Sequence, residues 1–221
     1  MKIEQKYFVG VQDLGPDNQI TNRALLDALS NTATMHAASV GQGIEDMYTK
    51  HITWMAMNWK VQVLRRCGAC QWITVRTWAQ DYNRLKAVRN YEVLDENGEI
   101  MAYASSVWTA IDPVDGTILR LTPELMDGYQ GEPDQVLFPD VKYAKNMPAD
   151  LEILRSVKRQ VFRSMIDCNH HVHNTAYLDL AREALPEEEL DIRCGTADGV
   201  WYVGIYSADD QLHAVLKMYR K

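Results

Sequence analysis

The sequence is short of positive charge, of cysteine and of unbroken apolar runs, and each shortage narrows the field. Across 221 residues there are 23 Lys and Arg against 30 Asp and Glu, a formal net charge of −7. No nucleic acid is expected as a partner, because binding to phosphate backbones runs on clustered positive charge. Four cysteines are too few for a disulfide scaffold and fit a reduced compartment. No stretch approaches the roughly 18 consecutive apolar residues of a transmembrane helix. Charges at Lys2 and Glu4 also stand where a signal peptide would carry its apolar run. The expectation is a cytoplasmic protein with no membrane partner. With only 12 Gly and 7 Pro and 47% hydrophobic residues, collagen-like and disordered chains are excluded. At roughly 150 residues per domain the length is about one and a half domains.

What is present is a change of period. Lys2 to Val9 alternates as a strand does and enters a Gly/Pro/Asp loop at residues 13–18. From Asn22, with Thr21 as cap, Leu25 or Leu26, Leu29, Ala33, Ala37 and Val40 recur at helical spacing until Gly41 and Gly43. Ile52 to Leu64, Trp72 to Ala79, Val88 to Leu94 and Ile100 to Ile111 then read as strands, the last two joined by the hairpin turn Asp95-Glu96-Asn97-Gly98. One long helix against an antiparallel sheet is an α+β layout. Between Pro123 and Pro148 lie four of the seven prolines, with Gly128 and Gly131, and this stretch reads as a linker and not as a core element. Beyond it, Glu152 to Arg163 is strand-like, Thr175 to Ala184 helical, and Val200 to Ser207 with Gln211 to Tyr219 form a closing hairpin. The division expected is a first domain at 1–122, a linker at 123–150 and a second domain at 151–221.

The two ends of the chain repeat each other. Asn22-Arg23-Ala24-Leu25-Leu26-Asp27 matches Asn174-Thr175-Ala176-Tyr177-Leu178-Asp179 at Asn, Ala, Leu and Asp, an offset of 152 (174 less 22). Gly98-Glu99-Ile100-Met101-Ala102 aligns with Asp210-Gln211-Leu212-His213-Ala214 at an offset of 112 (210 less 98). The second copy is therefore 40 residues shorter between its helix and its last hairpin, about the size of the Ile52 to Ala79 hairpin.

The densest polar cluster is Asp167-Cys168-Asn169-His170-His171-Val172-His173-Asn174, in the loop entering the second helix. A carboxylate, an amide and imidazoles there offer an acid/base, an orienter and a carbonyl polariser. The helix N-terminus adds backbone donors suited to an oxyanion. In the first copy Asp17 stands opposite Asn169 and Gln19 opposite His171, so only the second loop carries the chemistry. The bland alternative is a helix-capping loop in which Asn174 caps. A metal site at His170, His171 and His173 is not expected, because three histidines within four loop residues rarely converge on one tetrahedral ion.

Asp167-x-Asn169-x-His171-Val172-x-Asn174, preceded by Arg163-Ser164 and followed by Tyr177 and Glu183, resembles the signature of the acyl-ACP thioesterases of plants and bacteria. Trp59-x-Val61-x-Val63, Trp72-x-Thr74-x-Arg76-Thr77-Trp78 and Ala104-Ser105-Ser106-Val107-Trp108 resemble that family's N-terminal half. The resemblance implies two tandem hot dog domains, each a long helix packed on an antiparallel sheet, the second abbreviated here. It also implies hydrolysis of the thioester between a fatty acyl chain and acyl carrier protein in fatty acid biosynthesis, without metal or cofactor. Asp167, Asn169 and His171 match the family's catalytic positions. Asn169 and helix amides would polarise the carbonyl, His171 would activate water, and Asp167 would orient its neighbours. The family also uses a Glu, sometimes discussed with an adjacent Cys, on a strand after the second helix. That strand falls in the stretch this sequence lacks, which leaves Cys194 as the cysteine for that place and Glu183 as a second carboxylate.

Met35, His36, Trp54, Met55, Met57 and Trp108 read singly as core and together as the wall of an acyl-chain tunnel, with Trp54, Met57, Trp108 and Asn174 assigned to the substrate. His36 alone reads as a hydrogen-bonded core histidine. Cys67-Gly68-Ala69-Cys70 imitates a thioredoxin motif but precedes a strand, not the helix a stabilised thiolate needs. From Val141 to Arg163, Lys142, Lys145, Arg155, Lys158, Arg159 and Arg163 face only Asp150 and Glu152. This is either a solvated face or a dock for the acidic carrier protein, centred on Arg155, Lys158 and Arg159. The alternatives are a hot dog acyl-CoA thioesterase and a non-catalytic acyl-ACP binding protein; a hot dog dehydratase arranges its His and carboxylate differently. A homodimer is compatible with the fold, although a tandem chain already supplies both halves of one pair.

Overall fold

Strand β1 (Lys2–Phe8) alternates exposed and half-buried side chains along its whole length and pairs antiparallel with β3 (Trp72–Tyr82), so the first element is already part of a sheet. The structure is a computed structural model and describes residues 1–139, 160–183, 190–197, 200–207 and 212–218. With β2 (Thr53–Val63), β4 (Ala87–Leu94) and β5 (Ile100–Ile111), the first sheet has five antiparallel strands in the order β1-β3-β4-β5-β2. The β4–β5 turn closes as expected: Gly98 N–H donates to Asp95 O at 3.0 Å, and Gly98 takes the positive φ that the turn requires.

Helix α1 (Asn22–Ser39) lies on one face of this sheet. The Thr21 side chain caps it by accepting from Ala24 N–H, and Leu25, Leu26, Leu29, Thr32, Ala33, His36 and Ala37 form its buried stripe. It ends in a Schellman motif, in which Gly41 and Gln42 N–H donate to Ala38 O and Ala37 O at 3.0 and 2.8 Å. The motif fixes Gln42 at the helix end.

Two bulges change which residues face the helix. The β2–β5 register shifts between Ala56 and Asn58, leaving Met57 as the extra residue. Trp54 packs inward before the bulge, and Trp59, Val61 and Val63 pack inward after it, so the inward set passes from even to odd positions. A second shift in β3, between Ala79 and Asp81, does the same around Gln80.

The Pro-rich stretch departs from the linker expected at 123–150. Pro123 opens the one-turn helix α2 (Pro123–Met126), where a missing N–H costs no hydrogen bond. Met126 and Tyr129 are buried against Ala37, Ala79, Ala87 and Ala110. The start of that stretch is therefore core.

The repeat is written into the backbone at the offset of 152. The single turns at Val11–Asp13 and Arg163–Met165 correspond, as do the bridges Leu14 to Ile20 and Ile166 to Val172. Gly15 N–H donates to Gln19 O and Asp167 N–H to His171 O, both at 2.9 Å; Thr21 N–H donates to Asp13 O and His173 N–H to Met165 O, both at 2.8 Å. Asn18 and His170 both take positive φ, 58° and 62°. After α3 (Ala176–Glu183) come β6 (Leu190–Ala197), β7 (Val200–Ser207) and β8 (Leu212–Met218), an antiparallel sheet in the order β6-β7-β8. At the offset of 112 these strands correspond to β3, β4 and β5. The strand expected to be missing after the second helix is present as β6 and carries Cys194. It is β2 that has no counterpart among the described residues: six residues separate Glu183 from Leu190, too few for an 11-residue strand.

The chain divides into two compact units, residues 1–154 with 158–179, and residues 155–157 with 180–221. The loop at 163–174 and the first turn of α3 belong to the first unit. No helix among the described residues is long and apolar enough to cross a membrane.

Candidate functional site

Alanine makes the space at one level of the helix–sheet interface. Ala33 and Ala37 on α1 face Ala79 on β3 and Ala87 on β4, and between the layers lies a cavity of about 110 Å³. Trp54, Trp108, Met126 and Tyr129 give it a rigid, mostly apolar wall, and the loop residue Asn169 reaches the same wall.

The polar groups of this wall are tied to one another. Gln42 Oε1 accepts from Trp54 Nε1–H and from the Tyr129 hydroxyl, both at 2.9 Å, while its Nε2–H donates to Leu125 O at 2.7 Å. The Trp54 and Tyr129 rings meet edge to face at 6.1 Å. Arg89, 7% exposed on β4, donates from Nη1 to His36 Nδ1 at 2.9 Å and to Thr77 Oγ1 at 3.2 Å, and its guanidinium lies 5.4 Å from the Tyr129 ring centre. A guanidinium only donates, so His36 Nδ1 accepts and its proton sits on Nε2. Burial first, and the Arg89 charge second, lower the His36 pKa to about 3. The same burial lowers Arg89 from its ordinary value and raises Tyr129 to about 12. His36 is thus the hydrogen-bonded core histidine expected.

The second loop is built around Asp167. Its Oδ1 accepts from Asn169 N–H at 2.8 Å and from His171 N–H at 3.3 Å. The carboxylate therefore holds the backbone of the two residues whose side chains carry the proposed chemistry. Asn169 is half-buried and lines the cavity, whereas His171, like Cys168 and His170, is exposed. His173 Nδ1 lies 2.7 Å from Thr175 Oγ1 and accepts from Thr175 N–H at 3.4 Å, so His173, not Asn174, meets the backbone at the entry to α3. Asn174 Oδ1 is buried without a partner among the described residues.

Trp54, Trp108 and Asn169 come together on one cavity. Met57, the bulge residue of β2, is 46% exposed and off the cavity wall. Cys194 lies on β6 opposite Val203 and Glu183 at the end of α3. Arg155, Lys158 and Arg159 lie outside the described residues. Cys67 and Cys70 are free thiols in the connection from β2 to β3, one buried and one exposed. Among the described residues no His, Cys, Asp and Glu group could hold a metal ion. Sequence reasoning missed Gln42, Arg89 and Tyr129. The signal for Arg89 was its parity: Ala87, Arg89, Tyr91 and Val93 share the inward face of one strand, and a charge in that series calls for a reason.

Residues 1–129 match the family of the acyl-ACP thioesterase N-terminal domain, more than half of the chain. The chain belongs to the acyl-ACP thioesterase family. Among relatives of that family, it is 23% identical over 206 residues to the chloroplastic oleoyl-acyl carrier protein thioesterase 2 of Arabidopsis thaliana, covering 85% of this chain and 55% of the plant protein. It is 24% identical over 199 residues to a chloroplastic palmitoyl-acyl carrier protein thioesterase of Cuphea hookeriana, covering 85% and 48%. It thus spans about half the length of these relatives. The fold is shared with solved structures across most of both chains. An acyl-ACP thioesterase from Bacteroides thetaiotaomicron superposes with a TM-score of 0.63 at 19% identity over 98% of this chain and 96% of that one. The 12:0-ACP thioesterase of Umbellularia californica gives 0.61 at 15% identity over 99% and 96%. The acyl-ACP thioesterase fold here is α+β: two tandem hot dog copies, the second abbreviated.

Proposed function

We propose that this chain hydrolyses the thioester between a fatty acyl group and acyl carrier protein, releasing the free acid. One observation carries the reading: the cavity walled by Trp54 and Trp108 is met by Asn169, which stands in the loop bearing the family's signature. The acyl chain enters between α1 and the sheet, and the thioester stays at the loop. Asn169 donates its side-chain N–H to the thioester carbonyl, assisted by amides at the start of α3. His171, exposed to water, takes a proton from the attacking water molecule and returns it to the departing thiol. Asp167 holds both residues through their backbone, and Asn174 is a substrate contact of the same loop. Cys194 on β6 is the candidate for a fourth position. The partner is acyl carrier protein, docked through Arg155, Lys158 and Arg159.

Release of free thiol from acyl carrier protein bearing a defined fatty acyl chain tests this with the full chain. His171→Ala is expected to lower kcat on the order of 10²- to 10⁴-fold while acyl-ACP still binds. Hydrolysis of acyl-CoA as fast as acyl-ACP would overturn the carrier-protein assignment. Binding with no thiol release from the unaltered protein would overturn the catalytic one.

A further inference from the structure

Arg89 is a cation that the proposed hydrolysis of a plain fatty acyl chain leaves idle. Both Nη1 hydrogens are used, on His36 Nδ1 and Thr77 Oγ1, but neither Nε nor Nη2 has a protein acceptor among the described residues. No carboxylate among the described residues pairs with it. Yet the side chain is 7% exposed and lines the cavity. An apolar residue of similar volume would serve a hydrocarbon chain better, because a buried charge without a counter-charge is expensive. The guanidinium is also held in place: His36 and Thr77 anchor one nitrogen, and its face rests on Tyr129, which Gln42 fixes in turn. A rigid fork with free donors at the wall of a mostly apolar cavity is a recognition device for an acceptor oxygen.

We propose that Arg89 is a specificity-determining residue that selects acyl groups carrying an acceptor oxygen over plain hydrocarbon acyl groups of the same length. The oxygen is either a keto oxygen near the thioester or a carboxylate at the far end of the chain. The inference rests on the thioesterase reading for the acyl nature of the ligand, but its test needs no turnover.

The probes are three pantetheine amides, which cannot be hydrolysed: octanoyl, 3-oxooctanoyl and octanoyl with a terminal carboxylate. Their Kd values are measured on the full chain by tryptophan fluorescence, since Trp54 and Trp108 are on the cavity wall. At least one oxygen-bearing amide is expected to bind on the order of 10- to 100-fold more tightly than the octanoyl amide, as befits a hydrogen bond to a charged donor. Which one does so tells where along the chain the oxygen meets Arg89. Arg89→Met, which keeps the bulk and removes the donors, is expected to abolish the preference. Equal or tighter binding of the octanoyl amide by the unaltered protein would overturn the inference, even if Arg89→Met failed to fold. So would a preference that survives in a folded Arg89→Met variant. Absence of thioester hydrolysis alongside the expected Kd ratio would count against the thioesterase reading alone.

Discussion

His36 shows how one contact fixes a protonation state. Because Arg89 can only donate, the imidazole must accept through Nδ1, and a second proton would place a cation beside a buried cation. The folded protein therefore holds His36 neutral down to about pH 3, whereas the unfolded chain takes up that proton near pH 6.5. The unfolded state binds more protons in this window, so the stability His36 contributes is complete above pH 6.5 and is lost as pH falls toward 3. At pH 5 the loss is about 2 kcal/mol relative to pH 7, at roughly 1.4 kcal/mol per pH unit. Urea unfolding of the unaltered protein and of His36→Gln at both pH values checks this. The glutamine still offers Arg89 an acceptor and does not titrate, so its stability should fall by about 2 kcal/mol less between the two conditions. Identical losses would show that His36 is not the group responsible.

At the scale of elements, the cavity is a matter of where alanine occurs in both layers. Ala33 and Ala37 recur at one helical spacing, and Ala79 and Ala87 stand on neighbouring strands beneath them. Larger side chains there would close the space that Trp54 and Trp108 frame. Ala79→Leu or Ala37→Leu should shorten the preferred acyl chain by a few methylenes, each worth about 0.8 kcal/mol of burial, and cost roughly 1–3 kcal/mol of stability by overpacking. The measurement is kcat/KM along a series of acyl lengths. A uniform fall at all lengths would mean the chain does not lie in this cavity. Much of this layer was legible in the sequence. The helix bounds followed from Thr21 and the leucine spacing, and the β4–β5 hairpin from Asp95 to Gly98. What escaped was decided by tertiary pairing. The bulge at Met57 cannot be read from one strand alone, because it exists only against the register of β5. Pro123 read as a breaker because its role at the first position of a helix depends on Met126 and Tyr129 finding a core to enter. Of the candidate site, the loop from Asp167 to Asn174 was visible as a polar cluster. Gln42 and Tyr129 were not, since each becomes a wall residue only through the helix cap or the short helix that carries it.

For the whole molecule, the two copies separate scaffold from chemistry. Their entry loops share hydrogen bonds residue for residue at the offset of 152, yet Gly15, Asp17 and Gln19 stand where Asp167, Asn169 and His171 stand in the second. The backbone was kept and the side chains diverged, so chemistry is expected from one loop only. The same division of labour applies to charge. A protein of net charge −7 repels an acidic carrier protein at long range, and productive encounter then depends on a local patch of the opposite sign. In sequence, the run from Lys142 to Arg163 carries six positive charges against two negative, ahead of the loop proposed to act on the thioester. On the proposed docking, association is a contest between these charges and the net field, and salt screens both within about 10 Å at 0.1 M. Reversing Lys158 and Arg159 to Glu should therefore raise KM for acyl-ACP roughly tenfold at low ionic strength. The effect should shrink as salt is added, and kcat should hold, because neither residue belongs to the loop proposed to act on the thioester. A small acyl thioester without carrier protein should be hydrolysed by the double variant as by the unaltered protein. Equal impairment on both substrates would locate those two charges in the fold or the site and would end the docking assignment.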